Sequence, residues 1–245
     1  MKISNEQKKI NRAKIIKIAI DMIIEKGYKS ATMRGIAKQA GFGDATIYNY
    51  FPTKESILFA YYKDKLNETV EKIKEIKDFN EYTINEQLQT VFNIQFEIFL
   101  SDREFISISF KKIFLTLNQN YKQIKNIKDQ FRAIIKDIFD AAVDADEIPP
   151  QIFEEMIFHF IWDYYIGLVL FWLNDSSERF NDTTILTDKS LDLICALIKA
   201  GVANKLFDLA SYFFKNHILA RMDTFKRHKD TINIIKRGFM GANSE

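Results

Sequence analysis

The chain has 245 residues, of which 47% are hydrophobic and 28% are charged, a balance typical of soluble globular proteins. It contains 3 Pro and 8 Gly residues, so few positions interrupt helices, and its 1 Cys excludes an internal disulfide. The length suits one small domain and one larger domain. These features together predict a fold built from long helices.

The charge is unevenly distributed along the chain. Residues 1–54 contain eleven Lys and Arg residues against four Asp and Glu residues, a net charge of +7. Because the whole chain carries +2, the remaining residues carry −5. A basic N-terminal part on an acidic body indicates a polyanionic partner at one end of the molecule.

The sequence offers no pattern for a metal site, a membrane span or a secretory signal. Its three histidines lie far apart and lack metal-ligand spacing, so we expect neither a metal nor another cofactor. The apolar stretch 157–173 is short for a membrane span and contains Asp163, which predicts a buried helix. Basic residues interrupt the N-terminal segment, which argues against a signal peptide. We therefore expect a cytoplasmic protein.

Three helices are predicted in the first fifty residues. Apolar residues recur at steps of three and four over positions 16–23, as in a helix with one buried face, and Gly27 is placed to end it. A second helix begins after Thr32, whose hydroxyl can cap it. Gly41 then makes a tight turn into a third helix over residues 44–51. Two short helices around a glycine turn are what a helix-turn-helix requires.

The order of residue types in this region resembles the DNA-binding domain of the TetR family of repressors. The matching pattern is Thr32-x3-Ile36-Ala37-x2-Ala40-Gly41-Phe42-x3-Thr46-Ile47-Tyr48-x-Tyr50-Phe51-x2-Lys54-Glu55. The resemblance covers roughly residues 10–60. It implies an all-α fold with an N-terminal three-helix DNA-binding domain, which contains the helix-turn-helix, and a larger helical bundle for ligand binding and dimerisation. The domains implied are 1–54 for DNA binding, 55–220 for the bundle, and 221–245 for a C-terminal helix and tail.

The same resemblance implies DNA-binding roles for seven residues. These are Thr32, Arg34, Thr46, Tyr48, Asn49, Tyr50 and Lys54. Thr32 would cap the second helix and contact a phosphate, with Arg34 beside it. Tyr48 would offer its hydroxyl to the DNA backbone, and Lys54 would bind another phosphate. The partner implied is double-stranded operator DNA.

The third helix carries the remaining candidates and two departures from the family pattern. Thr46 and Asn49 would face the major groove. For Tyr50 two roles stay equally open: a ring in the core with an exposed hydroxyl, or a direct contact with DNA. Gly43 stands where the family often has the capping Ser. Asp44 stands where a basic or neutral residue is usual, and an acid there favours the helix N-terminus electrostatically but repels nearby phosphate. This departure leaves the affinity and base preference open.

The rest of the chain is predicted to be helical. We expect a fourth helix from Lys54 to about Lys77, with Thr53 as its cap. Breaks at Asp102, 118–120, 149–150 and Gly201 separate the later helices. These are predicted near 83–100, 103–118, 121–144, 150–174, 187–201 and 203–219.

Aromatic residues at helical spacing are candidates for a ligand pocket. In the TetR family the body typically holds an apolar cavity, so the resemblance implies that some of these rings line a site for a hydrophobic or amphipathic effector. For any single ring, ordinary core packing is the alternative. The candidates are Phe92, Phe96, Phe99, Phe110, Phe114, Phe131, Trp162 and Tyr165.

A second, weaker resemblance lies in residues 164–176 and 182–188. It is similar to the C-terminal part of TetR-fold proteins that bind acyl chains or isoprenoid lipids, including lipid-binding accessory proteins of ubiquinone biosynthesis. It implies an acyl or isoprenoid lipid as effector. Helices at about 155–173 and 187–214 would form a homodimer interface, as in the family, or alternatively complete the core of one monomer.

Three functions are compared on these grounds. The main hypothesis is a one-component DNA-binding repressor that a hydrophobic small molecule releases from its operator. The alternative is a lipid-binding or carrier protein on the same fold with weak or no DNA binding. An enzyme is not expected: His159 and Asp163 lie four residues apart on one helix, but the sequence shows no phosphate-binding loop or nucleophile motif.

Overall fold

The computed structural model describes residues 4–115 and 121–213, and the regular secondary structure within these ranges is helical throughout. The all-α prediction is therefore confirmed. The helices are α1 (Asn5–Ser30), α2 (Met33–Ala40), α3 (Asp44–Tyr50), α4 (Lys54–Lys74), α5 (Ile84–Leu100), α6 (Arg103–Phe114), α7 (Tyr121–Asp144), α8 (Glu154–Asn174), α9 (Asn181–Lys199) and α10 (Val202–Phe213).

Helices α1, α2 and α3 form a small N-terminal unit whose ends are capped as the sequence predicted. Gly27 has a φ of 77°, which interrupts α1 at the expected place. The Thr32 hydroxyl accepts a hydrogen bond from the Gly35 N–H at 3.1 Å and caps α2. Gly41 adopts the left-handed conformation that ends α2, with a φ of 75° and a ψ of 27°, a conformation that glycine adopts without steric cost.

A buried apolar cluster joins these three helices. Ala19 and Ile23 of α1, Ile36 and Ala37 of α2, and Ile47 of α3 are all fully buried. The alanines allow the helices to approach closely, since a larger side chain would need space that the helix crossing lacks. The result is a compact support from which α3 projects one exposed face.

Helix α4 follows this unit and is the first helix of the body, which we define as α4–α10. The Thr53 and Ser56 side chains form a reciprocal capping box at its start. Arg12 of α1 makes a two-pronged ion pair with Asp64 of α4, with Nη1–Oδ2 and Nη2–Oδ1 distances of 2.5 and 3.1 Å. Helix α6 also packs against both α1 and α4. The N-terminal unit thus contacts the body through α1 as well as through the chain connection into α4.

The body surrounds a core rich in aromatic side chains. Helix α8 packs one side against this core and buries Phe158, Trp162, Tyr165, Val169 and Trp172. Among the described helices, α8 alone is long and apolar enough to cross a membrane by length and composition, and one of its sides packs against neighbouring helices. A helix that packs against a globular core satisfies the same test.

Several helix boundaries differ from the predicted ones. Helix α4 ends at Lys74 rather than about Lys77, because a turn with Asp78 in the left-handed region follows it. Helix α8 begins at Glu154 rather than at 150, after the prolines. Helix α9 begins at Asn181, six residues before the predicted start. Residues 116–120 and 214–245, where the predicted C-terminal helix and tail fall, lie outside the described residues.

The early start of α9 follows from the contacts of Asp175. Its Oδ2 accepts hydrogen bonds from the N–H and hydroxyl of Thr183 at 2.9 and 2.6 Å, and its Oδ1 accepts from the N–H and hydroxyl of Ser177 at 2.8 and 2.6 Å. These hydrogen bonds hold the pKa of Asp175 well below its ordinary value. The carboxylate therefore closes the α8–α9 corner and supplies the cap that α9 lacks at Phe180.

Asp175→Asn is expected to destabilise the protein at neutral pH, because an amide nitrogen cannot accept the hydrogen bonds of Thr183 or Ser177. Since the folded-state pKa of Asp175 is lowered, its stabilisation is present above about pH 4 and is lost as the pH falls through the folded-state value. Urea midpoints should thus differ more at pH 7 than at pH 3. The exposed Asp144→Asn is the control, and an equal difference at both pH values would contradict the assignment.

Candidate functional site

Helix α3 presents a short exposed face that is supported from behind. Ile47 is fully buried beneath it, whereas Asp44, Ala45, Tyr48 and Asn49 are exposed. These four residues lie at i, i+1, i+4 and i+5, which places them on one side of a helix. The face therefore carries a carboxylate, a phenol and an amide at positions open to a partner.

The candidates Thr32 and Arg34 lie at the start of α2, beside α3. Thr32 is exposed and its hydroxyl is used to cap α2, so only its outer surface is open to a phosphate. Arg34 is 86% exposed and its Nε lies 3.2 Å from Oδ2 of Asp44. The structure thus brings Asp44 into contact with a predicted DNA-binding residue, a contact that the sequence analysis did not anticipate.

Tyr50 and Thr46 are only partly open. The Tyr50 hydroxyl accepts a hydrogen bond from Asn11 of α1 at 3.0 Å, and its ring lies against Phe42 with centroids 6.2 Å apart. The Tyr50 ring is thus half-buried with its hydroxyl bound inside the unit, and both roles considered for it stay predictions. Thr46 is half-buried beside the exposed face.

Lys54 has partners inside the protein, and its phosphate contact stays a prediction. Its Nζ donates to the backbone carbonyls of Tyr28 and Ala31, the latter at 2.7 Å, and lies 4.0 Å from the centre of the Tyr28 ring. Two of its three N–H donors are therefore used at the end of α1. The structure supports a role for Lys54 in fixing α1 to the start of α4.

The surroundings of Lys54 form a small polar cluster. The Tyr28 hydroxyl donates to Glu55, and burial followed by this hydrogen bond raises the pKa of Tyr28. Burial lowers the pKa of Lys54. For Glu55 burial acts to raise the pKa, but the hydrogen bond from Tyr28 and the other contacts outweigh it and lower the value. Glu55 thus stays ionised at neutral pH and holds the Tyr28 ring under Lys54.

The sequence could not have revealed the partners Asn11 and Tyr28. Asn11 contacts a residue 39 positions away, and Tyr28 contacts residues 26 and 27 positions away. No spacing rule links such distant positions. Asp44, by contrast, was visible as a departure from the family pattern, although its ion pair was not.

The aromatic pocket candidates pack mainly against one another. Phe92, Phe99, Phe110, Phe131, Trp162 and Tyr165 are buried, while Phe96 and Phe114 are partly buried. The Phe131 ring stacks on Tyr165 with centroids 4.9 Å apart, and Phe110 lies 4.6 Å from Phe114. In this conformation the buried rings fill the core, so a ligand among them would have to separate side chains that are now in contact.

One described groove does involve a candidate. Phe96 lines an open groove of about 260 Å³ together with Trp172 and Phe180, at the corner where α8 meets α9. Its rim is polar and charged, with Asn93, Thr183, Thr184, Thr187, Glu97 and Arg179. An aromatic floor under a polar rim suits an amphipathic molecule.

Polar groups also occur inside the aromatic core. The hydroxyls of Tyr62 and Ser109 lie 2.7 Å apart, and the Thr69 hydroxyl lies 3.0 Å from Oε1 of Gln95. Burial raises the pKa of Tyr62, so its hydroxyl is neutral. Most of these groups satisfy one another, which lets them lie in an apolar interior at little cost.

A stripe of exposed apolar residues runs along α8. Met156 and Phe160 are 59% and 55% exposed, and Gly167 and Phe171 continue the same side. A Cβ added at Gly167 would meet no atom within 4 Å. Exposed apolar residues of α9 lie at Ile185, Leu186, Leu193 and Leu197. Together these residues form what we name the α8–α9 face, and an apolar surface of this kind is typical of a protein interface.

The structure also places the two residues considered for acid–base chemistry. His159 and Asp163 are both exposed, and the His159 ring contacts the Glu155 carbonyl rather than Asp163. Burial raises the pKa of Cys195 to about 11, which leaves a neutral thiol at physiological pH. Within the described ranges, no group of three or more metal-binding side chains occurs.

These features define a class of protein. A helix-turn-helix with an exposed third helix is joined by a long helix to an all-helical body with an aromatic interior. This is the architecture of helix-turn-helix transcriptional regulators that carry their own sensor domain.

The comparisons identify the family. The model described as "Bacterial regulatory proteins, tetR family" matches residues 15–61, and the model described as "Tetracyclin repressor-like, C-terminal domain" matches residues 87–213, more than half of the chain. The chain belongs to the TetR family. It is a DNA-binding transcriptional regulator, as the resemblance implied, and the predicted family membership is confirmed.

Relatives and solved structures extend this result over most of the chain. It is 26% identical over 201 residues to the fatty acid metabolism regulator protein of Bacillus subtilis, covering 82% of this chain and 100% of the relative. A crystal structure of the transcriptional regulator FadR from Bacillus subtilis in complex with stearoyl-CoA is 28% identical, with a TM-score of 0.60 over 77% of this chain and 98% of that one. FadR from Thermus thermophilus, in complex with lauroyl-CoA, shares the fold at 18% identity, with a TM-score of 0.55 over 74% and 92% of the two chains.

Substitutions at Lys54 and Tyr48 should separate structural from DNA-binding roles. Lys54→Ala removes two charge-assisted hydrogen bonds at the end of α1 and should lower the free energy of unfolding by about 1 kcal/mol as well as DNA affinity. Tyr48→Phe at an exposed position should leave stability unchanged and weaken binding to all duplexes alike. Thermal melts and fluorescence anisotropy measure both effects. A Lys54→Ala variant of native stability would refute the role in fixing α1.

Proposed function

We propose that this regulator acts as a homodimeric repressor whose two α3 helices enter successive major grooves of an operator. The basic balance of residues 1–54 and the exposed face of α3 support this proposal. Tyr48 and Asn49 are the exposed predicted contacts on α3 itself, Tyr48 for the backbone and Asn49 for base edges. The domain division at about residue 54 belongs to the same proposal, since α4 begins there.

The homodimer would form through the α8–α9 face. Two helices from each copy would make a four-helix bundle that covers Phe160, Leu193 and their neighbours, which are otherwise in water. Gly167 supports this geometry, because the absence of a side chain lets a partner helix approach closely. A two-fold dimer also matches the two half-sites of an operator.

Phe160→Glu should convert the dimer into monomers, because it places a charge in the centre of the apolar contact. Ile10→Glu is a matched control, since Ile10 of α1 is 54% exposed and Phe160 is 55% exposed. Sedimentation velocity should show a dimer for the control and a species of half its mass for Phe160→Glu. A Phe160→Glu variant that remains dimeric would show that the interface lies elsewhere.

The effector that we propose is a long-chain acyl-CoA. The FadR of Bacillus subtilis, 28% identical to this chain, was crystallised with stearoyl-CoA. The aromatic core and the groove at Phe96, Trp172 and Phe180 offer apolar surface for an acyl chain, and the polar rim of the groove offers partners for a head group. An acyl ligand also agrees with the weaker of the two sequence resemblances.

Helix α6 is the proposed route from the effector to the DNA-binding unit. Its first residue, Arg103, donates through Nη2 to the carbonyls of Trp172, Leu173 and Asp175, at 3.0, 3.0 and 2.9 Å. Near its other end, Lys112 lies 4.4 Å from the centre of the Tyr28 ring. A ligand that shifts the α8–α9 corner or separates the rings of α6 would thereby move α1 and change the spacing of the two α3 helices. Release requires unequal affinity of the ligand for the two conformations.

DNA release is tested by fluorescence anisotropy on labelled duplex from upstream of the protein's own gene. Stearoyl-CoA should raise the Kd for the duplex at least about 10-fold, which corresponds to a coupling free energy of about 1.4 kcal/mol. Coenzyme A without an acyl chain is the control and should have no effect. Equal effects of the two compounds would exclude the acyl chain as the determinant.

The same experiment distinguishes the alternative function. A lipid-binding or carrier protein would bind stearoyl-CoA but ignore duplex DNA even in dilute salt, where electrostatic attraction is strongest. The exposed Tyr48 and Asn49 and the basic N-terminal unit favour the regulator. In this proposal the protein works in the cytoplasm, where its DNA and acyl-CoA are found, and catalyses no reaction.

A further inference from the structure

Asp44 occupies an unusual place on the DNA-binding face. It is the only acidic residue between Thr32 and Phe51, and it is the first residue of α3. Its side chain is 55% exposed, and one carboxylate oxygen pairs with Arg34 of α2 at 3.2 Å. The preceding residue, Gly43, has no side chain that could cover the Asp44 carboxylate.

The Arg34–Asp44 pair contributes little to folding. Both side chains are largely exposed, and ion pairs between exposed groups contribute close to zero because water screens them. An acid on this face also opposes binding to phosphate, which the surrounding positive charge favours. A carboxylate at the first residue of α3 does favour that helix N-terminus electrostatically. It therefore helps the helix, but general DNA affinity does not account for it.

We infer that Asp44 reads a cytosine in each half-site, an inference that rests on the proposed operator binding. The N-terminal residues of the second helix in a helix-turn-helix are those that reach base edges in the major groove. Asp44 is the first of them and points out beside Ala45 and Tyr48, which are also exposed. It is therefore placed to contact a base rather than the backbone.

The chemistry of the carboxylate selects the base. An ionised carboxylate only accepts hydrogen bonds, and in the major groove only cytosine N4 and adenine N6 donate them. Adenine presents the acceptor N7 next to N6, and this lone pair repels the second carboxylate oxygen, whereas cytosine presents no acceptor there. Guanine and thymine present acceptors to the carboxylate and are excluded.

Arg34 acts as a positioning residue in this arrangement. Its Nε holds Oδ2 of Asp44, which leaves Oδ1 to face a partner. Arg34 was predicted to lie beside a phosphate contact at Thr32, and its outer N–H groups stay available for the backbone while Nε orients Asp44. One ion pair would thus couple base recognition to backbone recognition.

Selection of binding sites from randomised duplexes tests this inference, with wild type, Asp44→Ala and Asp44→Asn compared. Wild type should enrich cytosine at one position of each half-site by about 5-fold or more over other bases. Asp44→Ala should lose the enrichment at that position alone. Asp44→Asn should shift it from cytosine to adenine, because an amide can pair with both N6 and N7 of adenine.

Two further variants serve as controls. Asp21→Ala removes the same charge from an exposed position on α1, and it should leave the preference at every base unchanged. Arg34→Ala should keep cytosine as the preferred base but reduce its enrichment, because the carboxylate is no longer oriented. Circular dichroism and sedimentation of each variant establish that fold and oligomeric state are retained.

The outcomes separate this inference from the proposed function. If wild type selects an operator and Asp44→Ala selects the same bases, even with higher affinity, Asp44 only repels phosphate and the inference is wrong. The proposed regulator would then stand. If wild type binds no duplex in dilute salt, both fall together.

Discussion

The fixed geometry of the DNA-binding unit depends on the contact between Lys54 and the end of α1. The ammonium group binds the carbonyls of Tyr28 and Ala31, and Glu55 holds the Tyr28 ring beneath it. Carbonyls at the end of a helix lack helical partners because the chain leaves the helix there, and Lys54 supplies donors to two of them. Because α4 begins at Lys54, the same contact that closes the small unit also sets the direction of the helix leading into the body.

The local elements could be predicted because their signals are local. Thr32, Gly41 and Thr53 cap or end helices through contacts within a few residues, so their types and spacing sufficed. The start of α9 was missed because Asp175 supplies its cap from eight residues away, across a loop. A helix boundary set by a distant side chain leaves no periodic pattern in the sequence.

The sites were harder to predict than the fold, since exposure and partners depend on tertiary packing. Spacing alone placed Phe92 and Phe96 in one stripe, but Phe92 is buried in the core whereas Phe96 lines a groove. The family pattern likewise implied a contact with the DNA backbone for both Lys54 and Tyr48. In the structure the Lys54 ammonium group is hydrogen-bonded within the protein, whereas the Tyr48 side chain is exposed. Asp44 shows the opposite case: a departure from a family pattern marked the position, and only the structure shows its ion pair with Arg34.

The apolar α8–α9 face has a consequence for how the protein persists in a cell. If its residues are covered by a second copy, part of each subunit's stability comes from association, and mass action then links folding to protein abundance. Newly made chains at low copy number would be more open to proteolysis than those in an established pool. A regulator built in this way would be cleared quickly when its synthesis stops, so that the apolar surface also sets how long repression outlasts expression.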